Sequence, residues 1–374
     1  MLCRLCRREI DETPVLRYSG MPGVSQHLPE APAHGGIDLK VVECPACGLI
    51  QLANDPVPYW REVIRAAAYS PEMGEFRKRQ FAEWVASEKL TGKTILEPGC
   101  GRGEYLKLLR GSADVKVRGV EYGAEAVAAA RADGLEVERL CFETGEEKLS
   151  GARCDGFFTF NYLEHLPDPG RFLHGICENL ADGAPGIVEV PNFQLMLERD
   201  MFSEFTVDHL AYYTRDTLRR MLENNGFAVE DCRVVWHDYI LSARVRKRRP
   251  TDFSGFGAAA AKLFGELEKF CGELPREKLA VWGAGHQAFA LLAASKLGDR
   301  FSCIVDSAKF KQGRFAPASA LPIVPPEELD RREIAAIVVM AGSYSDEVAT
   351  QIRARYGKRH QIALLREDHL ETIP

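Results

Sequence analysis

Between residues 94 and 166 short apolar runs alternate with segments whose apolar positions recur every three or four residues. "TILEP" runs into an acid and a bend with glycines at 99, 101 and 103, and "EYLKLL" behind it has helical spacing. "VKVRGVEYG" (115–123) reads as a strand, "AEAVAAARADG" (124–134) as a helix, and "LEVERLCFE" and "CDGFFTFNYLEHL" as two further strands. A strand covered on both faces needs no polar alternation, so the pattern predicts an α/β fold with a mostly parallel, doubly wound sheet. Ligands of such sheets sit at the carboxyl ends of the strands. The stretch from 189 to 230 resumes as strand, long insertion, helix and strand, and a second strand–glycine–helix unit stands at "AVWGAGHQAFALLAA" (280–294).

A chain of 374 residues, 46% hydrophobic and 27% charged, can bury more than one core, which suits two or three domains. The formal charge of -6 and pI near 5.9 give no general basic surface, so nucleic acid is not an expected partner despite the local "RVRKRRP" at 244–250. "MLCRLCRREIDE" has no signal-like apolar run, and no apolar stretch of about 18 residues occurs, so the expected location is the cytoplasm, with no membrane contact.

Seven of the eleven cysteines are scattered singly, which suits reduced thiols. The other four form two C-x-x-C pairs, Cys3 with Cys6 and Cys44 with Cys47, and Gly48 follows the second. Two intervening residues let both sulfurs of a tight turn face one cation, and two such turns supply the four thiolates of a structural zinc site. "SGMPGVSQHLPEAPAHGG" reads as the loop between the pairs. Chance pairs in a reducing compartment are the bland alternative. A redox role lacks the surrounding βαβ pattern.

The first glycine bend follows E-x-G-x-G-x-G, from Glu97 through Gly99, Gly101 and Gly103, and not the G-x-G-x-x-G of a dinucleotide fingerprint. Glu121 ends the next strand, where a carboxylate can accept bonds from both hydroxyls of a ribose. This string resembles motif I and the ribose acid of class I methyltransferases that use S-adenosylmethionine. The resemblance implies that Gly99, Gly101 and Gly103 wrap the methionine part and Glu121 holds the ribose, with Cys141, Phe142 and Glu143 beside the adenine. Glu97, Tyr122 and Asn161 complete the implied cofactor set. Asn161 and His165 fit the N-x-x-x-H segment with which the fourth strand of such enzymes ends. Downstream, Asp208 precedes His209, and an acid beside a histidine can orient it or tune its basicity for general-base work.

The whole chain resembles the nucleotide-sugar C-methyltransferases: a four-cysteine zinc lobe (1–60), a methyltransferase core (61–250) and a Rossmann-like carboxyl-terminal domain (251–374). That resemblance implies C-methylation of a nucleotide-linked keto-deoxy sugar through an enolate, by a monomer or homodimer. His209 is the implied base, assisted by Asp208, with His165 and Tyr69 stabilising the oxyanion. Two departures alter the substrate expectation: Thr206 stands where the family has a tyrosine, and Gln287 or its neighbour replaces a lysine of the third domain. O- or N-methylation of a small metabolite is the alternative activity. "GAGHQA" with Asp306, 23 positions after Gly283, also has nicotinamide-dinucleotide spacing, which leaves an NAD-binding third domain open. Arg77 and Arg79 are read either as carboxylate or phosphate partners or as a solvated helix face.

Overall fold

The computed structural model describes residues 1–26, 35–62, 69–272 and 274–373, in two compact units, Met1–Pro250 and Thr251–Pro374. Residues 27–34 of the expected inter-cysteine loop and 66–68 before Tyr69 lie outside the described residues. Among the described residues no helix is long and apolar enough to cross a membrane.

The first unit begins with strands β1 (Leu16–Met21), β2 (Ile37–Glu43) and β3 (Ile50–Leu52), which pair antiparallel. Leu39, Val41 and Leu52 are buried on one face of this small sheet. Arg4, inside the first C-x-x-C, fastens its edge: the backbone N–H donates to Gln51 Oε1 (3.0 Å) and Nη1 donates to the Leu52 carbonyl (2.8 Å).

Helix α1 (Pro71–Ser87) starts where the Ser70 hydroxyl accepts from the Met73 N–H and Pro71 fills the first turn. Strands and helices then alternate as expected: β4 (Thr94–Pro98), α2 (Glu104–Ser112), β5 (Lys116–Glu121), α3 (Ala124–Ala132), β6 (Glu136–Arg139), β7 (Gly156–Phe160), α4 (Pro169–Glu178) and β8 (Pro185–Pro191). The insertion carries α5 (Phe193–Glu198) and β9 (Ala211–Tyr212), followed by α6 (Arg215–Asn224), β10 (Phe227–Val235) and β11 (Ile240–Lys247). The large sheet runs β10-β11-β8-β7-β4-β5-β6, parallel from β8 to β6, with β11 antiparallel to β8 and to β10.

Both faces of that sheet are covered, which explains the unbroken apolar strands. In β7, Phe157 packs in one core cluster, while Phe158 and Phe160 pack in the opposite one with Phe81 and Trp84. Each such ring contributes about 1.5–3 kcal/mol by leaving water. Arg77 is not part of a solvated face; the carboxylate it meets belongs to the protein's own core. It is 1% exposed, lies over the Phe160 ring, and pairs its Nη1 with Glu189 Oε2 at 2.5 Å; Gln80 and Ser242 also donate to that carboxylate. Arg79, by contrast, is exposed.

Strand β9 joins the small sheet to the insertion, pairing Ile50 with Tyr212 and Gln51 with Ala211. The small sheet is thus continuous with the segment that carries Asp208 and His209.

The second unit holds α7 (Ser254–Gly272), β12 (Leu279–Trp282), α8 (His286–Ser295), β13 (Cys303–Val305), β14 (Ile323–Val324), β15 (Ala336–Val339), α9 (Ser345–Tyr356), β16 (Gln361–Leu365) and β17 (Leu370–Ile373). Its sheet, β14-β13-β12-β15-β16-β17, is parallel except for the last strand.

Candidate active site

The bend after β4 is left-handed at all three glycines, with φ of 67°, 55° and 77° at Gly99, Gly101 and Gly103. Packing explains Gly103, because a Cβ there would lie 2.1 Å from Leu135 Cδ1. Gly101 has no such crowding, its nearest neighbour being Glu104 Oε2 at 3.6 Å, so its glycine serves the φ of 55° and leaves space above the backbone. Glu121 ends β5 and holds this bend: Oε2 accepts from Gly101 N–H (2.9 Å) and Oε1 from Gly123 N–H (2.8 Å). A carboxylate offers about four acceptor positions, so two protein bonds leave capacity for a ligand diol. Glu97, in β4, is fully buried beneath the bend.

Around Glu121, half-exposed Tyr122 lies within 6.0 Å of the Arg139 guanidinium and 5.9 Å of that of Arg61. Arg61 also clamps Glu143 through two bonds, Nε to Oε1 at 2.6 Å and Nη2 to Oε2 at 2.8 Å, and holds that carboxylate below its usual range. A cavity of about 180 Å³ is lined by Trp60, Phe142, Glu143, Leu166, Pro167 and Asp168. Phe142 is buried against Phe172, and burial pushes the Cys141 thiol up to about 12, so Cys141 stays protonated. Trp60 and Arg61 escaped sequence reasoning, since nothing in "PYWRE" marks partners more than 80 positions away.

Asn161 leaves β7 with φ 48°, a left-handed conformation that asparagine tolerates, and its N–H donates to the Glu189 carbonyl at 2.8 Å. The chain then turns through Leu163–His165, so both Glu164 and His165 are buried at the carboxyl end of the strand beside β4. His165 Nδ1 lies 2.9 Å from the Asp208 carbonyl. A carbonyl only accepts, so Nδ1 carries a proton directed at it.

His209 stands edge-to-face against His165, centroids 4.8 Å apart, and 6.1 Å from the Tyr212 ring. Desolvation pushes its pKa down to about 4, so the imidazole is neutral in ordinary buffers. The expected pairing of Asp208 with His209 does not form. Asp208, 3% exposed, accepts instead from the Tyr59 hydroxyl at 2.7 Å, while its carbonyl fixes His165. Tyr69 is 37% exposed and stacks on Tyr105; among the described residues no hydrogen bond or ring contact joins it to either histidine.

The four amino-terminal cysteines converge. Sγ atoms of Cys3 and Cys47 are 3.5 Å apart, those of Cys6 and Cys44 3.6 Å, and all four lie within 4.8 Å of one another. Bonds of about 2.3 Å in a tetrahedron would set thiolates roughly 3.8 Å apart, so the set fits zinc. Each knuckle has a left-handed residue directly after its second cysteine, Arg7 (φ 61°) and Gly48 (φ 76°). All eleven cysteines are free of disulfides.

Comparison with known families matches residues 66–231 to a methyltransferase domain and residues 243–363 to a C-methyltransferase C-terminal domain. C-methyltransferase NovU of Streptomyces niveus is 25% identical over 391 aligned positions, spanning 92% of this chain and 90% of that protein. These matches make the chain a C-methyltransferase by activity, similar over most of its length to the C-methyltransferases. As such it is an S-adenosylmethionine-dependent methyltransferase with a class I core and an additional carboxyl-terminal sheet domain. A probable S-adenosylmethionine-dependent methyltransferase of Mycolicibacterium smegmatis is 29% identical over 164 positions, 43% of this C-methyltransferase and 62% of that protein. Among solved structures, an S-adenosylmethionine-dependent methyltransferase from Mesorhizobium loti is 18% identical, covering 44% of this chain and 98% of its own, with a TM-score of 0.36.

Proposed function

We propose that this C-methyltransferase alkylates a carbon next to the keto group of a nucleotide-linked sugar, with His209 as general base. The observation that carries the reading is the His165–His209 pair at the carboxyl end of β7, the strand next to the one bearing the glycine bend. A carbon acid of this kind loses its proton only when an adjacent carbonyl spreads the charge, and neutral imidazole is a suitable acceptor.

When bound, S-adenosylmethionine supplies an electrophilic methyl group on a sulfonium. Glu121 holds the ribose hydroxyls, and the amides of the bend at 99–103 meet the amino-acid tail. The cavity beside Phe142 and Trp60 takes the adenine, and Arg61 and Glu143 close its edge. His209 removes the proton from the substrate carbon. Nε2 of His165 accepts from a substrate hydroxyl and so orients the sugar. Asp208 is a positioning residue: its carboxylate is tied to Tyr59 and its carbonyl sets the His165 tautomer. Cys3, Cys6, Cys44 and Cys47 hold a structural zinc with no open position.

The test uses deuterium oxide and a panel of nucleotide-linked keto sugars, without methyl donor. Wild type should exchange the hydrogen beside the carbonyl, and His209→Ala should slow exchange and turnover by roughly a hundredfold or more while donor binding persists. Exchange at the wild-type rate removes His209 from the role. A labelled methyl found on oxygen or nitrogen of the product would overturn the carbon assignment.

A further inference from the structure

Glu164, His165 and His209 place a carboxylate oxygen and two ring nitrogens within 4.8 Å of one another. Two distant stretches of chain build this cluster, and the bond from Leu210 N–H to the Glu164 carbonyl, 2.8 Å, locks them together. His165 Nδ1–H is committed to the Asp208 carbonyl, and its Nε2 lies 3.9 Å from Glu164 Oε1. A backbone acceptor on the second ring nitrogen is the usual support of a metal-ligating histidine. Among the described residues the His209 ring makes no hydrogen bond, and one of its nitrogens already lies within the cluster. Bonds of about 2.0–2.1 Å in a tetrahedral set bring donors to roughly 3.4 Å from one another, about half an ångström closer than the 3.9 Å between His165 Nε2 and Glu164 Oε1 and at most about 1.4 Å closer than the widest spacing of 4.8 Å.

We propose that Glu164, His165 and His209 form a second metal site, distinct from the cysteine set, which takes a divalent first-row transition ion and switches methyl transfer off while it is filled. Two imidazoles and one carboxylate suit zinc, cobalt, nickel or ferrous iron, whereas calcium needs six or more oxygens and magnesium keeps several waters. Coordination uses the lone pair with which His209 would take a proton. The inhibitory half therefore rests on His209 as base; the binding half does not.

The test starts from protein with its cysteine site filled, dialysed against Co²⁺, with metals counted per chain and the absorption spectrum recorded. One further equivalent is expected, showing weak d–d bands and no intense thiolate-to-cobalt band. Glu164→Gln and His165→Gln should each weaken that equivalent by at least about tenfold, the scale on which even supporting partners act. Both should keep the thiolate-bound ion, which reports that they are folded; Cys44→Ser should do the reverse. No second equivalent, or one bound with wild-type affinity by both variants, overturns the site. Methyl transfer with added Zn²⁺ separates the two halves. Loss of rate that follows occupancy and reverses on chelation supports both, whereas full occupancy at an undiminished rate keeps the site and overturns both the inhibition and the base role.

Discussion

The chain contains the same strand–glycine–helix grammar twice, and the two copies spend their acids differently. Glu121 takes the Gly101 amide of the bend on one carboxylate oxygen and the Gly123 amide of its own loop on the other, and no cation is paired with it among the described residues. Asp306, after β13, is 8% exposed; Oδ2 takes both the Ala284 N–H (2.8 Å) and the Lys311 ammonium (3.0 Å), and Oδ1 takes the Ala308 N–H (2.8 Å). The glycines diverge as well. Gly283 has φ 112° and would put a Cβ 2.7 Å from the Met340 carbonyl, so it serves contact between strand ends, and Gly285 is extended with nothing near it. A motif string therefore marks a bend, and only the acceptor capacity left on its acid marks a place for a diol.

The widest separation between the two bends is expected from Glu121→Ala. Calorimetry with S-adenosylhomocysteine should show affinity down by about a hundredfold, or about 2.7 kcal/mol, with the melting temperature little changed. An equal loss from Asp306→Ala would erase the distinction. Asp306→Asn should instead destabilise the second unit by about 1–3 kcal/mol, because Lys311 loses its charged partner, and leave donor binding intact.

Acid gives the same contrast without a mutation. Burial works against the Asp306 charge, but the Ala308 amide, Lys311 and the Ala284 amide outweigh it and hold the carboxyl below its ordinary range. Its contribution is present above the unfolded value of about 3.9 and is lost as pH falls through the lower folded one. Protection of the β12 and β13 amides from hydrogen exchange should fall in that window. A wild-type profile unchanged in Asp306→Asn would be expected only if the carboxyl contributed nothing.

Smaller effects come from the glycines. Gly101→Ala should cost about 1 kcal/mol in strain at φ 55° and weaken donor binding, while Gly285→Ala should move stability by no more than about 0.5 kcal/mol. Paired urea titrations of the two variants decide this, and equal losses would mean that the bends are equivalent after all.

Much of this architecture was readable from residue order. The parallel core showed through because β4, β7 and β8 are covered on both faces, and the cysteine spacing fixed two knuckles before their convergence was visible. The partners of the charged groups were not readable. Tyr59 and Asp208 are 149 positions apart and Arg61 and Glu143 82 apart, and no local pattern links them. Arg77 was half legible for the same reason: a carboxylate partner was one reading, but nothing on α1 pointed to Glu189, in the fifth strand after it. The neighbouring order of Asp208 and His209 suggested a pair, but successive residues point apart, and each found a distant partner instead.

Strand β3 touches two things at once: Arg4 of the first knuckle grips Gln51 and Leu52, and the Leu52 N–H donates to Leu210, the residue after His209. If the four thiolates hold zinc as proposed, stripping it would slacken the thread on which the imidazole hangs. In a screen that scores only product formed, cysteine lesions some distance from the substrate would be indistinguishable from lesions in the cleft, and rescue by added zinc would be the sign that tells them apart.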